Sequence, residues 1–177
     1  MKIFQNFKVR RLLKFFYKFI ITIHVFESVP KSESVIKTRS KLFHIFDKKK
    51  ILKNNIIKNY FKTNNNKKKR FEHSSFIGII RGKKIVCSGW IHQSKNSRWN
   101  IEEIDKKISL KNEKILYDFF THKEFRNRGY YKLLLKKIQN KFLNKKLIIY
   151  TVSNNRFSKK AILHSGFKFK KNLRKFF

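Results

Sequence analysis

Positively charged side chains are so frequent along this chain that they limit how it can fold. Lysine and arginine number 46 against 10 aspartates and glutamates, which gives a formal net charge of +36 over 177 residues. Apolar residues still make up 41% of the chain and include 20 phenylalanines. A chain of this length can bury a substantial core. We therefore expect one globular domain, residues 1–177, with a strongly basic surface.

The excess of positive charge has two explanations. A basic protein can bind nucleic acid or an anionic membrane surface through its charge. The composition is also typical of AT-rich coding bias, because lysine, asparagine, isoleucine and phenylalanine are abundant while Ala161 is the only alanine and Pro30 the only proline. Lysine is spread along the chain rather than gathered in one arm. We expect no specific nucleic-acid partner, and a basic binding module stays open as the alternative function.

The number and spacing of the cysteine and histidine residues favour neither a disulfide nor a metal site. The single cysteine, Cys87, excludes an internal disulfide and suits a reducing compartment, so we predict a cytoplasmic protein. Cys87 lies in an apolar run, which favours a buried structural thiol over a nucleophile. The six histidines are scattered without an HExxH or Cys/His spacing. We therefore predict no metal site.

The N-terminal stretch "RRLLKFFYKFIITIHVF" at 10–26 is similar at first sight to a signal peptide or a membrane span. Lys14 and Lys18 interrupt it and leave about eight mostly apolar residues, where a span needs about twenty. No small-residue cleavage site follows. We predict a buried helix that leads into a strand and no transmembrane segment, while peripheral membrane contact through a basic amphipathic segment remains open.

The first 70 residues predict a basic helix, a strand and a further helical region. The helix is expected at 1–18 and the strand of β-branched and aromatic residues at 19–29. Apolar residues recur with helix-like spacing over 41–62. The polar stretch "KTNNNKKKR" at 62–70 predicts a solvated loop.

Beyond residue 70 the apolar pattern changes to that of a sheet with helices. Two short apolar runs at 74–82 and 83–93, joined by Arg81-Gly82-Lys83, predict a hairpin. Strands are further expected at 113–121, 146–152 and 166–172, and a short helix at 155–165. A helix beginning near Gly129 would present one apolar face, formed by Tyr131, Leu134, Leu135, Ile138 and Phe142. The order of these elements predicts an α/β or α+β domain.

The segment between the third strand and this helix has the features of an anion-binding cradle. A strand ends near Thr121, and the first turn of the helix would expose unpaired backbone N–H groups. Gly129 has no side chain to block a phosphate, and Arg126 and Arg128 can donate charge-assisted hydrogen bonds. An ordinary surface loop with a helix-entry glycine fits the same residues, so both interpretations stay open at this point.

Two motifs in the right order show what the cradle resembles. "RNRGYY" at 126–131 follows the Arg/Gln-x-x-Gly-x-Gly/Ala pattern except at its last position, and "NRFSKKAILHSGF" comes after it at 155–167. Together with the strand between them, they resemble the GNAT superfamily of acyl-CoA-dependent N-acetyltransferases over 71–170. The stretch "YDFFTHKEFRNRGYY" is similar to the sequences of a branch associated with cell-envelope polysaccharide genes. The N-terminal region is similar to the same branch, but more loosely.

The resemblance implies a fold and a ligand. The fold would be a mixed, mostly antiparallel sheet with splayed central strands and helices on both faces, with a basic N-terminal part at 1–70 and an acyl-CoA-binding core at 71–177. Acetyl-CoA would be the co-substrate. The cofactor-binding positions would be Phe119, Phe120 and Thr121 for the pantetheine, Arg126, Asn127, Arg128, Gly129, Tyr130 and Tyr131 for the pyrophosphate, and Asn155 and Ser158 on the opposite side.

Two positions depart from the family pattern. Tyr131 stands where a small residue is usual, and its ring must point into the core to leave room for the pyrophosphate. Ile162 stands where many members carry a tyrosine that acts as general acid. A leaving thiolate can take its proton from water, so this change need not abolish activity.

The resemblance implies that an amine attacks the thioester carbonyl directly. This reaction requires that the amine and the thioester lie close together and that the amine loses one proton. Asp118 is the first candidate base and His122 the second. Weaker candidates are Glu102, Glu103 and His92. The resemblance favours a small-molecule primary amine, in particular an amino sugar, as the acceptor. Trp90 and Trp99 are candidates to stack on a sugar ring, although Trp90 equally fits the core.

Overall fold

The computed structural model describes residues 20–28, 42–47, 54–63, 70–92 and 97–176. The helix predicted at 1–18 and most of the connector predicted at 62–70 lie outside these residues. The described chain contains nine strands, which are β1 Ile20–Ser28, β2 Phe43–Phe46, β3 Ser74–Arg81, β4 Lys84–His92, β5 Ser97–Ile101, β6 Lys106–Leu110, β7 Lys114–Thr121, β8 Leu147–Val152 and β9 Lys168–Phe176. Its α-helices are α1 Asn55–Thr63, α2 Tyr130–Lys141 and α3 Arg156–His164.

Seven of the strands form one sheet in the order β2-β3-β4-β7-β8-β1-β9. Every neighbouring pair is antiparallel except β7 and β8, which are parallel. A parallel pair requires a crossover connection, and α2 supplies it. The remaining strands, β5 and β6, form a separate hairpin. The mixed, mostly antiparallel sheet of the sequence prediction is confirmed.

Each face of the large sheet is covered by its own apolar cluster. On one face the cluster includes Ile57 and Phe61 of α1 and Trp90 of β4, together with buried residues of the β5–β6 hairpin. On the other face it includes Leu134 of α2 and Ile162 of α3. The described helices therefore lie on both faces, as predicted. Burial of the apolar face of each helix holds it against the sheet, since short helices are only marginally stable on their own.

The β3–β4 hairpin agrees with the sequence prediction in position and in turn. Nearly all residues of both strands are buried, as continuous apolar runs in the middle of a two-faced sheet must be. Gly82 has a φ of +58° in the turn, a conformation that glycine adopts without steric cost. The predicted strands at 19–29, 113–121 and 146–152 and the helix at 155–165 are likewise confirmed.

The helix-like spacing over 41–62 was only half correct. Phe43–Phe46 is a strand that pairs with β3, with Phe43 opposite Ile79 and Phe46 opposite Phe76. Among the described residues of this region, helical structure is found at Asn55–Thr63, and 48–53 lie outside the described residues. A short apolar segment follows the pairing available to it, and the free edge of β3 supplied that pairing.

The β5–β6 hairpin was missed by the sequence prediction. Its apolar residues alternate with polar ones, and Ile101 and Leu110 are buried while Trp99 packs against the same cluster. Asp105 in the turn has a φ of +49°, which aspartate tolerates better than most residues. The period-two alternation was the available signal. The closing strand is also longer than predicted, since β9 reaches Phe176.

No helix in the described part of the chain is long and apolar enough to cross a membrane.

Cys87 provides a test of the packing of β4. Its side chain is 0% exposed, and burial raises the pKa of its thiol to about 11. Because the thiolate is the reactive form, a disulfide reagent at pH 8 should label Cys87 only as fast as the protein unfolds. Stopped-flow labelling with and without denaturant measures this. Complete labelling within the mixing time in native buffer would contradict the buried position.

Candidate active site

The parallel pairing of β7 and β8 stops halfway along the two strands. Three residue pairs join them, of which the last is Leu116 with Ile149. β7 then continues to Thr121 and β8 to Val152 without a further pair between them. β7 remains bonded to β4 on its other side, where Phe120 lies opposite Ser88. The far half of β7 therefore has no strand paired with it on the β8 side, where the two strands leave a gap. We call this gap the splay.

A β-bulge in β7 lies at the mouth of the splay. Two residues of β7, Asp118 and Phe119, stand opposite the single residue Gly89 of β4. Asp118 has a φ of +48°, the left-handed conformation that a bulge imposes on one of its residues. A Cβ at Gly89 would lie 2.6 Å from the Phe119 ring. Glycine at this position therefore lets the Phe119 ring lie flat against β4.

A short connection leads from the end of β7 to α2. A single 3₁₀ turn, Lys123–Phe125, follows β7. Asn127 and Gly129 then adopt left-handed conformations with φ of +60° and +74°. Gly129 caps α2, and its carbonyl accepts the N–H of Leu133 at 2.9 Å. The preceding N–H groups of the first turn have no intrahelical acceptor. A Cβ built on Gly129 would meet no atom within 4 Å, so the space above this backbone is open.

Three arginines surround this opening. The Arg126 Nε donates to the carbonyl of Thr121 at 3.2 Å, which anchors the guanidinium at the end of β7. The Arg128 guanidinium lies 5.8 Å from the centre of the Phe125 ring. Arg81, from the β3–β4 hairpin, donates to the Tyr130 hydroxyl at 3.0 Å. Arg126 and Arg128 were predicted from the sequence, whereas Arg81 was not, because nothing in its local pattern shows that the hairpin reaches α2.

The residues expected on the opposite side of the splay are joined to α2. Asn155 caps α3 by accepting the N–H of Ser158 at 3.0 Å. The Ser158 hydroxyl donates to the Tyr131 hydroxyl at 3.3 Å. Burial raises the pKa of Tyr131, whose ring packs 5.2 Å from Phe119 within the second core cluster. Tyr131 therefore points inward and leaves the first turn of α2 clear. Ile162 is fully buried.

On the other face of the sheet, aromatic residues gather at the splay. The Trp99 indole lies 4.4 Å from the Tyr117 ring and its N–H donates to the Tyr150 hydroxyl at 3.3 Å. These three residues come from β5, β7 and β8. Burial is the main cause of the raised pKa of Tyr150, and the negative charges of Glu103 and Glu102 add to it. Both carboxylates belong to the β5–β6 turn, which follows the strand that carries Trp99.

Asp118 forms an ion pair with Arg70 beside these aromatic rings. The Arg70 guanidinium also lies 5.5 Å from the centre of the Tyr117 ring and 5.9 Å from that of Trp90, a cation–π arrangement. The Asp118 side chain is 33% exposed, so it is open to a ligand despite the ion pair. Arg70 follows a polar, low-complexity stretch, and its contribution could not be predicted from that context.

The two histidine candidates have different surroundings. His92 is buried, with Nδ1 3.5 Å from the Ser74 hydroxyl and Nε2 3.3 Å from the Ser97 hydroxyl. Burial lowers the pKa of His92, which favours the neutral imidazole. His122 lies at the cradle end of β7, with Nδ1 4.0 Å from the Glu124 carboxylate. Asp118 and His122 are thus at two ends of the same half-strand.

The described residues include no group of three or more His, Cys, Asp or Glu side chains that could hold a metal ion. Trp90 is 1% exposed and belongs to the core. Of the two tryptophans considered for sugar stacking, only Trp99 is accessible.

Comparison with known proteins identifies the fold. No protein-family model matches the chain, and no curated protein matches it either. Solved structures do match. A GNAT-family protein from Novosphingobium aromaticivorans superposes with a TM-score of 0.58 at 8% identity, over 88% of this chain and 62% of its own. A GNAT acetyltransferase from Colwellia psychrerythraea gives 0.53 at 15% identity, over 88% and 55%.

A GCN5-related N-acetyltransferase from Sphaerobacter thermophilus gives a TM-score of 0.55 at 10% identity, over 96% of this chain and 56% of its own. This chain therefore spans between 55% and 62% of the length of these three proteins. The protein has the GNAT fold. At these identities the likeness defines the fold, and the chemistry must be argued from the site itself.

The contact between Gly89 and Phe119 can be tested by double substitution. Gly89→Ala should lower the free energy of unfolding by about 1–3 kcal/mol because the new methyl group collides with the ring. In a Phe119→Ala background the same change should cost less than half as much, since the ring is gone. Urea denaturation of the four proteins measures both values. Equal costs in the two backgrounds would show that the ring does not lie over Gly89.

Proposed function

We propose that the protein transfers an acetyl group from acetyl-CoA to a primary amine by direct attack. One observation carries the proposal. The free edge of β7 in the splay and the glycine-capped start of α2 lie at successive points along one short segment. An extended, amide-containing arm that ends in a pyrophosphate matches this pair of features in order and in chemistry. Neither feature alone would specify such a ligand.

The residues of the cradle fit a pyrophosphate. The first-turn N–H groups of α2 face anions favourably, because the helix dipole places partial positive charge there. The open space above Gly129 allows close approach of a phosphate to the backbone. Arg126, Arg128 and Arg81 add three guanidinium groups around the opening. The pantetheine would pair with the β7 backbone at Phe119–Thr121, and the exposed Phe120 side chain offers apolar contact.

Acetyl transfer has three requirements. The bound thioester supplies an activated acyl group. A backbone N–H group near Phe119, beyond the end of the pairing with β8, would donate to the carbonyl oxygen as negative charge develops there. The amine must approach from the face that carries Tyr117, Trp99 and Tyr150. No covalent enzyme intermediate is needed, which agrees with the burial of Cys87.

Asp118 is the residue we place beside the amine. It stands at the bulge, next to Tyr117 and within reach of the splay. Its ion pair with Arg70 fixes the carboxylate, which would accept a hydrogen bond from the amine and orient it. His122 lies at the cradle end and is the second candidate for the proton. The thiolate would take its proton from water, because Ile162 is an apolar core residue.

We further propose that the acceptor is an amino sugar. Trp99 is only partly buried and can contact a sugar ring, and Glu102 and Glu103 follow its strand directly, in the β5–β6 turn. In a chain with only 10 acidic residues, this placement provides hydrogen-bond acceptors where an amino sugar would need them.

A reducing compartment such as the cytoplasm would hold both the free thiol and the co-substrate.

Coenzyme A binding is the first test. Isothermal titration should give saturable binding to the wild type. Gly129→Val should weaken it at least about tenfold, because a β-branched residue is strained in the left-handed conformation and fills the opening. Lys136→Ala, on the exposed face of α2, should leave binding unchanged. ATP and heparin are titrated as controls, since a +36 protein attracts any polyanion.

Equal losses in the Gly129 and Lys136 variants would mean that overall charge, and not the cradle, binds the ligand. That result, together with affinity for nucleic acid that falls steeply with salt, would support the competing function of a non-catalytic basic module.

Turnover is the second test. Release of coenzyme A from acetyl-CoA should be seen with one or more amines in a screen of amino sugars, nucleotide-linked amino sugars, amino acids and peptides. Asp118→Asn should lower kcat/KM by roughly a hundredfold if the carboxylate assists proton removal, while coenzyme A affinity stays unchanged. Turnover confined to peptide N-termini would overturn the amino-sugar assignment.

A further inference from the structure

A lysine-lined cleft opens on the same face of the sheet as the aromatic residues of the splay. It has a volume of about 320 Å³ and lies between the β5–β6 hairpin and strands β1, β8 and β9. We call it the lysine cleft. Its apolar lining comes from Val25, Ile108, Ile148 and Leu173. Its charged lining comes from Lys106, Lys107, Lys170, Lys171 and Glu113.

The cleft carries more positive charge than its own residues neutralise. Within the described part of the chain, Lys106, Lys107 and Lys171 form no ion pair with a carboxylate. Lys170 pairs with Glu27 at 2.8 Å. The Glu113 carboxylate is already occupied by the backbone N–H groups of residues 111 and 112, at 2.8 and 3.1 Å. An anionic ligand would therefore meet three lysines that have no acidic partner among the described residues.

The lining is not that of an ordinary basic surface. Val25 and Ile148 are at most 4% exposed, yet both line the cleft, so an apolar floor lies beneath the lysines. A floor of this kind suits the ring or chain of a small molecule, and lysines at the rim suit its anionic group. The volume lies at the lower end of the range of small-molecule sites, about 300–1,000 Å³.

The lysine cleft adjoins the splay. Ile108 lines the cleft and is the cross-strand partner of Trp99, which contacts Tyr117 and Tyr150. Ile148 also lines the cleft and precedes Tyr150 by two residues on the same face of β8, which corresponds to about 7 Å along a strand. One small molecule could therefore occupy both places.

We propose that the lysine cleft binds a phosphate group of the amine acceptor, so that the substrate is a phosphate-bearing amine whose amino group reaches Asp118 across Trp99. This inference rests on the proposed function and adds the substrate class. The acceptor would be anionic at the cleft and carry its amine at the splay. A phosphorylated amino sugar and a nucleotide-linked amino sugar share this chemistry and differ in reach.

Paired acceptors test the proposal. KM is measured for glucosamine, glucosamine 6-phosphate and a nucleotide-linked amino sugar at saturating acetyl-CoA. The phosphate-bearing acceptors should have the lower KM in the wild type. Lys107→Ala combined with Lys171→Ala should raise that KM about tenfold, which corresponds to about 1.4 kcal/mol, and leave KM for glucosamine unchanged. The acceptor with the larger loss identifies the source of the phosphate.

A matched control removes the same charge elsewhere. Lys136 and Lys141 lie on the exposed side of α2. The double variant Lys136→Ala, Lys141→Ala should change no KM by more than about twofold, since screened surface charges act weakly over distance. Equal effects of the two double variants would overturn the proposal in favour of general attraction by the basic surface. A lower KM for glucosamine than for its phosphate in the wild type would overturn it as well.

A binding measurement separates failure of the cleft from failure of the proposed function. The protein is first saturated with coenzyme A and then titrated with inorganic pyrophosphate. Saturable binding that disappears only in the cleft double variant supports the cleft even if no amine is acetylated. Absence of such binding, or binding retained in the cleft variant, overturns it whatever the turnover screen shows.

Discussion

The early end of the parallel pairing between β7 and β8 is the constraint on which the candidate site depends. After Leu116 and Ile149 the two strands separate, and β7 alone continues along β4 with a bulge at Asp118. A bulge bends its strand and increases the local twist, so it directs the end of β7 away from β8. The free backbone edge, the ion pair of Asp118 and the start of the connection to α2 all follow from this divergence.

Side chains on both faces keep the divergence in place. On one face the Phe119 ring lies against Gly89 and packs on Tyr131. On the other face the Trp99 indole joins Tyr117 to Tyr150 across the gap. The gap is therefore bounded by fixed rings rather than left as a loose edge. A rigid boundary of this kind reduces the ordering cost when a ligand binds.

Because acidic residues are few, each carboxylate strongly affects the charge in its surroundings. Glu27 receives Lys146 at 3.0 Å and Lys170 at 2.8 Å, and the hydrogen bond from Lys170 is the main cause of its lowered pKa. Asp118 pairs with Arg70 at the site. Such pairs offset part of the repulsion that a net charge of +36 imposes on a folded chain. They also decide where the surface stays positive, and the lysine cleft is one such place.

Local patterns in the sequence determined most of the elements on their own. The β3–β4 hairpin, β8, and the helix that begins after Gly129 follow from apolar periodicity and from glycine, which are properties of neighbouring residues. Tertiary structure alone decided that Phe43–Phe46 would become a strand, because the edge of β3 is supplied by residues more than 25 positions away. It alone brought Arg81 to α2 and Arg70 to Asp118. It also set the point at which β7 leaves β8. Contacts between distant segments depend on packing geometry, and no short-range pattern encodes them.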